Sequence, residues 1–271
     1  MKPMTEEEKI EYYSADGFRL VGLRAVPPNP RGWVVMTHGI TQNKDEFGGY
    51  YGDLARALNS IGIGTLRFDF RGHGESSGDS MDISIVGDVL DIHATLRQVE
   101  EGPIAIVGTS FGSGPAAFVA EEARASVRCL AFVAPVIDYD RTFLRPETPW
   151  AKASFGPAAL SALPEKGHLL LDGKHRLSPR LIEEFHLLDP IASLARSRVP
   201  TLIVHGDKDS MVPYAASYAA ATRLPTVKLV TLPNTDHGFS DIGDEDGLGP
   251  ASLTMKSRLV AEVVEYVTGS F

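Results

Sequence analysis

The sequence of 271 residues predicts an α/β fold in which a mostly parallel sheet of about eight strands carries helices on both faces. Short apolar runs suited to buried strands alternate along the chain with segments whose apolar residues recur at helical spacing. Polar residues follow several of these runs directly, at the sheet edge where ligands bind in such folds. We therefore look for a functional site at that edge.

Composition bounds the size, partners and compartment of the protein. Hydrophobic residues make up 43% of the chain and charged residues 23%, which suits one domain with a large core. The net charge of −9 is spread without a basic stripe, so we expect no binding to nucleic acid. The single cysteine, Cys129, excludes an intrachain disulfide, and we expect it to be an inert thiol in the core. A charged N-terminal segment, Met1–Ile10, and the lack of any run of roughly 18 apolar residues predict a cytoplasmic protein outside the membrane.

Strands and helices can be placed along the whole chain. The predicted strands are 10–14, 18–26, 32–37, 61–70, 104–107, 127–135, 199–205 and 226–232. The predicted helices are 47–60, 83–100, a segment after Pro115, 214–223 and, after a loop over 233–249, 251–267. The first two strands, joined by Ala15-Asp16-Gly17, are expected to pair antiparallel at a sheet edge. The long gap before the strand at 199–205 indicates an insertion, so we expect a core of residues 1–135 and 191–271 with a cap over 136–190.

One stretch carries the signature of a nucleophile. The apolar run Ile104–Val107 predicts a central strand and the residues after Pro115 predict a helix, with Ser110 on the sharp turn between them. Gly108 and Gly112 flank the serine and leave room for strand and helix to cross closely. The helix N-terminus aims N–H groups and its positive dipole end at this serine, which suits formation of an acyl-enzyme.

The same Gly-x-Ser-x-Gly spacing occurs again at Gly74-Glu75-Ser76-Ser77-Gly78, so context must decide between the two. The second stretch follows a Gly-rich loop instead of a strand, and it precedes Asp79-Ser80 instead of an apolar helix. Ser110 is therefore the predicted nucleophile.

A base and an acid follow downstream in the chain. A serine hydroxyl is a weak nucleophile until a base takes its proton, and that base needs a carboxylate to fix its tautomer. His237 lies in the loop after the last predicted strand, and Asp207 and Asp209 follow the strand before it. Asp209 is the leading acid, while Asp138 and Asp140 remain weaker alternatives. The order serine, aspartate, histidine is that of one known arrangement of the catalytic triad.

At this point the chain resembles the α/β-hydrolase superfamily, in particular the capped serine esterases that include bacterial feruloyl and cinnamoyl esterases. The resemblance spans nearly the whole chain. Its motifs are His38-Gly39, the loop Asp69-x-Arg71-Gly72-His73-Gly74-x-Ser76, the turn around Ser110, His205-Gly206-x-x-Asp209-x-x-Val212-Pro213, and Asp236-His237. It implies an α/β-hydrolase fold with Asp209 as the acid, His237 as the base, and the amides of Phe111 and Ile40 as the oxyanion hole.

Three further polar residues near strand ends have structural interpretations. His38 precedes a glycine at a strand end, and we expect it to shape the loop that presents the Ile40 amide. The resemblance implies that Arg71 and His73 fix loops. The remaining histidines have no metal-ligand spacing, so neither a metal nor another cofactor is expected.

The insertion is the part of the chain free to shape a substrate pocket. Among its aromatic residues, Trp150, Phe143 and Tyr139 are candidates for lining an acyl pocket, although most of the cap's aromatic residues should form its own small core. Asp172-Gly173 between apolar runs predicts a hairpin, and Ser178-Pro179 predicts the start of a short helix.

These residues predict a serine hydrolase that cleaves a carboxylic ester with a moderately apolar, even aromatic, acyl group. Cleavage of amides or thioesters, or acyl transfer, by the same triad is the alternative. An aminopeptidase would need a cap carboxylate to hold the substrate amine, and the candidates are Glu147, Glu165, Glu183 and Glu184. A small-molecule receptor that keeps the fold without turnover is a rival of another class. The expected partner is a small-molecule ester. The sequence does not determine the oligomeric state, and a homodimer is one option.

Overall fold

The computed structural model describes residues 5–123, 125–241, 243–244 and 247–271. Two predicted segments therefore lie partly outside the described residues. They are the charged N-terminal segment, in its first residues, and the loop over 233–249, at three positions.

The described chain forms an eight-stranded sheet and a separate two-stranded hairpin. The strands are β1 Glu7–Tyr13, β2 Arg19–Ala25, β3 Trp33–Thr37, β4 Gly64–Asp69, β5 Ile104–Thr109, β6 Val127–Val133, β7 Leu169–Leu171, β8 His175–Leu177, β9 Thr201–Gly206 and β10 Val227–Leu232. The helices are α1 Tyr50–Ser60, α2 Ile85–Leu96, α3 Ser113–Glu122, α4 Pro149–Phe155, α5 Pro157–Lys166, α6 Pro179–Leu187, α7 Pro190–Ser197, α8 Tyr214–Arg223 and α9 Pro250–Ser270.

The large sheet is parallel except at one edge. Its order is β1-β2-β4-β3-β5-β6-β9-β10, with antiparallel pairing only of β1 with β2 and of β2 with β4 among the described strands. Parallel strands place their carboxyl ends at one edge, so the residues after β3, β5, β9 and β10 meet there. The predicted α/β fold with a mostly parallel sheet is confirmed.

Alternation along the central strands explains why helices cover both faces. On β3, Val35 belongs to the apolar layer that includes Ile92 of α2 and Ala116 of α3. Its neighbour Val34 belongs to the opposite layer, together with Leu54 of α1. Because successive side chains of a strand point to opposite faces, an all-apolar strand needs a helical cover on each side.

Two elements begin later than the sequence predicts. The strand expected from residue 61 starts at Gly64, because the amides of Gly62 and Ile63 still bond to the carbonyls of Asn59 and Leu58 at the end of α1. The helix expected over 83–100 spans Ile85–Leu96, and the Ser84 side chain accepts a hydrogen bond from the Gly87 amide to cap its start.

The insertion between β6 and α7 lies over the carboxyl edge of the sheet. The predicted hairpin at Asp172-Gly173 is present as β7 paired with β8, and α6 begins at Pro179 with Ser178 as its cap. Apolar residues of the insertion pack in one cluster with residues of the α/β core, namely Ile85 at the start of α2, Phe111 after β5 and Val212 after β9. The division into a core and a cap at the stated boundaries stays a prediction. Among the described residues, no helix is long and apolar enough to cross a membrane.

Candidate active site

The turn around Ser110 has the strain expected of a nucleophile elbow. Ser110 has φ of 48°, in a region that side-chain-bearing residues seldom adopt. It opens a single 3₁₀ turn, Ser110–Gly112, between β5 and α3. A Cβ at Gly108 would lie 2.9 Å from Ser113 Cα, and one at Gly112 would lie 2.5 Å from the carbonyl oxygens of Thr37 and His38. Only glycine fits at either flank, and this lets strand and helix cross closely at Ser110.

The structure brings Ser110, His237 and Asp209 into one hydrogen-bonded chain. His237 Nε2 lies 3.1 Å from Ser110 Oγ, and His237 Nδ1 lies 2.7 Å from Asp209 Oδ2. A carboxylate accepts only, so Nδ1 carries a proton and Nε2 faces the serine as an acceptor in the neutral ring. This is the arrangement in which a histidine can take a proton from serine.

The alternative acids form other hydrogen bonds and ion pairs. Asp207 Oδ1 accepts from the Asn234 amide at 2.7 Å, which holds the loop that leads to His237. Asp138 Oδ1 accepts from the Arg141 amide at 3.1 Å, and Asp140 pairs with Arg145. Of the four candidate acids, Asp209 alone reaches His237 in the described structure.

Asp209 is fully buried and fully partnered. Its Oδ1 accepts from the amides of Met211 at 2.9 Å and Val212 at 2.7 Å, while Oδ2 accepts from both His237 and His205, the latter at 2.9 Å. Burial alone would raise the pKa of Asp209, but the charge of His237 and the hydrogen bonds from both histidines outweigh it and hold that pKa below its usual range. The carboxylate therefore stays ionised beside the imidazole.

Acidic neighbours favour the protonated form of His237. Burial opposes that form, but the charge and hydrogen bond of Asp209 prevail, with smaller contributions from Glu46 and Asp236, and the pKa of His237 rises above its ordinary value. Its side chain is 15% exposed, so the ring borders the cavity instead of lying within the core.

His38 fixes the loop between β3 and α1. Its Nε2 accepts from the Phe70 amide at 3.0 Å, so its proton is on Nδ1, which donates to the Gly39 carbonyl at 2.8 Å. Burial lowers the pKa of His38 well below its ordinary value and keeps the ring neutral. The Gln42 amide also donates to the Gly39 carbonyl, at 3.1 Å. The peptide group between Gly39 and Ile40 is thus held from its carbonyl side.

Arg71 and His73 lie in a second buried loop and hold it in place. Arg71 forms ion pairs with Asp16 at 2.6 Å and with Asp91 at 2.7 Å. His73 Nδ1 contacts the Arg71 carbonyl at 2.9 Å, and burial lowers the pKa of His73 to about 4. Ser76 in the same loop donates to the Asp69 carbonyl at 2.6 Å and has no contact with His237 in the described structure.

A cavity of about 300 Å³ opens beside Ser110. Its walls include Ile40 and Phe111, together with the predicted substrate-binding residues Phe143 and Trp150. The Trp150 indole N–H donates to Asp172 Oδ1 at 2.8 Å, which ties α4 to the hairpin at the rim.

Tyr139 is not a wall of this cavity, which corrects the expectation for that residue. Tyr139 is not among the residues that line the cavity, and its ring packs against Phe185, with centroids 5.2 Å apart, and against Phe143 at 6.0 Å. Tyr139 therefore belongs to the apolar cluster between cap and sheet, whereas Phe143 belongs to that cluster and also borders the cavity.

Sequence reasoning missed several walls of the cavity. These are Glu46, Phe47 and Tyr50 before and within α1, Asp172 in the hairpin turn, Met211 after β9, and Phe239 after His237. Glu46 and Asp172 are the acidic residues of this set, and nothing in the sequence context of Glu46 showed that its side chain turns inward. No group of three or more potential metal ligands occurs among the described residues.

Comparisons with known proteins identify the fold and its family. The sequence profile of the alpha/beta hydrolase family matches residues 34–246. The chain is similar in structure to Est1E from Butyrivibrio proteoclasticus, solved with ferulic acid bound, with a TM-score of 0.71, 24% identity, and coverage of 93% of this chain and 98% of that one. The chain belongs to the alpha/beta hydrolase family.

Two curated relatives match parts of the chain. Bovine (Bos taurus) palmitoyl-protein thioesterase ABHD10, mitochondrial, is 27% identical over 188 residues, which are 68% of this chain and 60% of that protein. Esterase LipQ from Mycobacterium tuberculosis is 30% identical over 112 residues, 40% of this chain and 24% of that protein. The chain thus matches less than two thirds of the length of either relative. The cytoplasmic location and the homodimer stay predictions.

Proposed function

We propose that this protein is a serine hydrolase that cleaves a carboxylic ester with a moderately apolar, aromatic or aliphatic, acyl group through an acyl-enzyme. The observation that carries the proposal is the hydrogen-bonded chain from Ser110 through His237 to Asp209, with distances of 3.1 Å and 2.7 Å. It lies at the wall of a cavity large enough for a small ester.

The first half-reaction forms the acyl-enzyme. Ser110 Oγ attacks the ester carbonyl carbon as His237 Nε2 takes the hydroxyl proton, and the carbonyl π pair moves onto oxygen. Asp209 stabilises the imidazolium that results and keeps it turned toward the serine. When the oxyanion collapses, the bond to the leaving oxygen breaks, and His237 gives that oxygen its proton.

Two amides are suited to stabilise the oxyanion. The Gly39 carbonyl is held by His38 and Gln42, and in a trans peptide the next N–H points the opposite way, so the Ile40 amide is aimed away from those partners. The Phe111 amide follows the nucleophile at the start of the turn that leads into α3, and both residues border the cavity. Fixed donors of this kind stabilise charge that develops in the transition state.

The second half-reaction releases the acid. Water takes the place of the leaving alcohol and attacks the acyl carbon while His237 accepts one of its protons. The new oxyanion collapses, the bond to Ser110 Oγ breaks, and the proton on His237 returns to the serine. The products are one carboxylic acid and one alcohol, and the enzyme is regenerated without a cofactor.

Thioester cleavage is a second candidate for the same residues. The curated thioesterase relative supports it, and the steps are the same with a thiolate as the leaving group. The aminopeptidase alternative has less support, because none of Glu147, Glu165, Glu183 and Glu184 is among the described cavity walls. Glu184 instead accepts from the Ile85 amide and pairs with Arg180.

One experiment tests the proposal directly. Purified protein is incubated with a fluorophosphonate probe and with p-nitrophenyl esters of short-chain, long-chain and aryl acids. We expect stoichiometric labelling mapped to Ser110 and turnover of at least one ester that Ser110→Ala abolishes. Wild-type turnover by Ser110→Ala, or labelling at Ser76, would refute the assignment. A folded protein that binds esters without turnover would favour the receptor alternative.

A further inference from the structure

Glu46 is a buried carboxylate in the wall of the cavity. The residue is 8% exposed, and no lysine or arginine among the described residues forms an ion pair with it. Burying a carboxylate away from water without a cation is costly, so such groups are uncommon unless hydrogen bonds or a function compensate.

Glu46 has a strained backbone in addition to a buried side chain. Its φ of 60° and ψ of 172° fall in a region that glycine occupies almost alone. Such strain persists only where the surrounding structure holds it, and it concentrates at functional sites. Here it turns the carboxylate inward from the segment before α1.

The carboxylate holds the loop that carries Ile40. Its Oε2 accepts from the Gly39 amide at 2.8 Å, and its Oε1 accepts from the Phe47 amide at 3.0 Å. Two N–H donors, one on each oxygen, suit the ionised form. A Cβ at Gly39 would lie 3.7 Å from Glu46 Oε2 and 3.2 Å from Ser110 Cβ, so the acid is close to the nucleophile across this one glycine.

Glu46 and His237 also border the same cavity. Burial raises the pKa of Glu46 above its ordinary value, although its two amide donors and His237 oppose that rise. Glu46 in turn helps to raise the pKa of His237. The other groups that act on His237 are Asp209 and Asp236.

The neighbours of Glu46 on α1 and α9 do not neutralise it. Tyr50 and Tyr51 on α1 are uncharged at neutral pH, because burial raises the pKa of both. On α9, the Lys256 ammonium lies over the Phe47 ring, 4.9 Å from its centroid, and donates to the Gly247 carbonyl.

We infer that Glu46 is a positioning residue of the proposed hydrolase: its carboxylate anchors the Gly39 amide of the oxyanion loop and supplies negative charge to His237 when that ring carries the serine proton. The inference rests on the proposed function. Two effects follow. Loss of the anchor loosens the Ile40 amide, and loss of the charge makes the imidazolium less stable.

The test compares Glu46→Gln with Asp53→Asn. Glutamine keeps the size of the side chain but loses the charge, and it turns an NH₂ toward one of the two amide donors. Asp53 is an exposed acid on α1 that pairs with Arg56, so its amide variant removes one charge away from the cavity. For each protein, kcat and KM for a neutral p-nitrophenyl ester are measured from pH 5 to pH 9, together with the melting temperature.

For Glu46→Gln we expect kcat to fall by about 10- to 100-fold while KM changes by less than about 3-fold. The apparent pKa of the acidic limb of the kcat/KM profile should fall below that of the wild type, because a charge that favours imidazolium is gone. Asp53→Asn should match the wild type in both respects. A kcat within about 2-fold of wild type, or an unmoved acidic limb, would overturn the inference.

Failure of this inference is distinguishable from failure of the proposed function. If the wild type neither hydrolyses esters nor reacts with a fluorophosphonate, the hydrolase proposal fails. If the wild type is active and Glu46→Gln is equally active, only the role of Glu46 fails. Should Glu46→Gln not fold, Glu46→Asp keeps the charge but withdraws it by one methylene. We then expect a reduced kcat with an acidic limb close to that of the wild type, and an unchanged kcat would overturn the anchoring role.

Discussion

His205 and His237 donate to the same carboxylate oxygen of Asp209, with Nε2 of His205 at 2.9 Å and Nδ1 of His237 at 2.7 Å from Oδ2. The contact with His205 gives Asp209 a side-chain donor in addition to His237. His205 is itself held, because its Nδ1 lies 2.7 Å from Ser217 Oγ. The hydrogen bonds therefore extend from α8 through Asp209 to the candidate nucleophile.

We expect His205→Ala to lower kcat by about 10-fold, because Asp209 loses one of its donors but keeps His237 and two backbone amides. The fully buried His205 also fills space, so the melting temperature should fall. Ser217→Ala serves as the milder control, since it removes only the hydroxyl behind His205. Steady-state kinetics of both variants check this order, and a His205→Ala kcat equal to that of wild type would contradict it.

Asp209→Asn should cost far more than Asp207→Asn. An amide at position 209 cannot hold His237 in the tautomer that accepts from Ser110, and the loss in kcat should approach about 10⁴-fold. Asp207→Asn leaves that pair intact and removes an acceptor for the Asn234 amide, so we expect a loss below about 10-fold. Equal losses in the two variants, measured with one neutral ester, would show that the acid lies elsewhere.

Activity should depend on pH through His237. Its pKa is raised above the ordinary value by Asp209, Glu46 and Asp236, and the ring must be neutral to accept the serine proton. The value of kcat/KM should therefore rise with pH through a pKa above about 6.5 and lose roughly tenfold per unit below it. The measurement is a pH profile at constant ionic strength. An acidic limb centred well below pH 6 would show that the acids do not act on this ring.

The parts of the site that are local in sequence could be predicted, and those that depend on side-chain direction could not. The turn at Ser110 is specified by its own glycines, and the positions of Asp209 and His237 follow from strand ends that share one edge. Tyr139 and Phe143 are only four residues apart, at the start of and within the short π-helical turn Asp140–Leu144, so the sequence did not show that only Phe143 would reach the cavity. Glu46 turns inward because of its backbone conformation, and the residue types around it do not predict that conformation.

The buried carboxyl group of Asp88 affects stability and lies outside the candidate site. It lies buried in α2, and neither of its carboxyl oxygens has a hydrogen-bond partner among the described residues. Burial, followed by the nearby Asp91, raises its pKa well above the ordinary value. The folded protein thus favours protonated Asp88, and this contribution to stability, full below the unfolded pKa, is lost as pH rises toward the folded value.

Asp88→Asn keeps the shape without an ionisable group. We expect it to raise the free energy of unfolding at pH 8 by about 1–2 kcal/mol relative to wild type, with a smaller gain at pH 5. Urea denaturation at the two pH values checks the difference, and Asp53→Asn on the surface is the control. A variant less stable than wild type at both pH values would mean that the carboxylate has a partner in solution.

Trp150 contacts both the cavity and the core of the cap, and the two contacts lead to different expected effects of its substitution. Its ring borders the cavity, and it also packs edge-on against Phe155, with centroids 6.2 Å apart, while its N–H bonds to Asp172. If the cavity contact dominates, Trp150→Ala should reduce kcat/KM for bulky or aryl acyl esters by about 10- to 200-fold and leave acetyl esters nearly unchanged. Trp150→Phe keeps most of the ring surface but loses the bond to Asp172, so it should retain that selectivity while lowering the melting temperature. A uniform loss across all esters, together with a depressed melting temperature in Trp150→Ala, would assign the residue to the core of the cap and remove it from the substrate site.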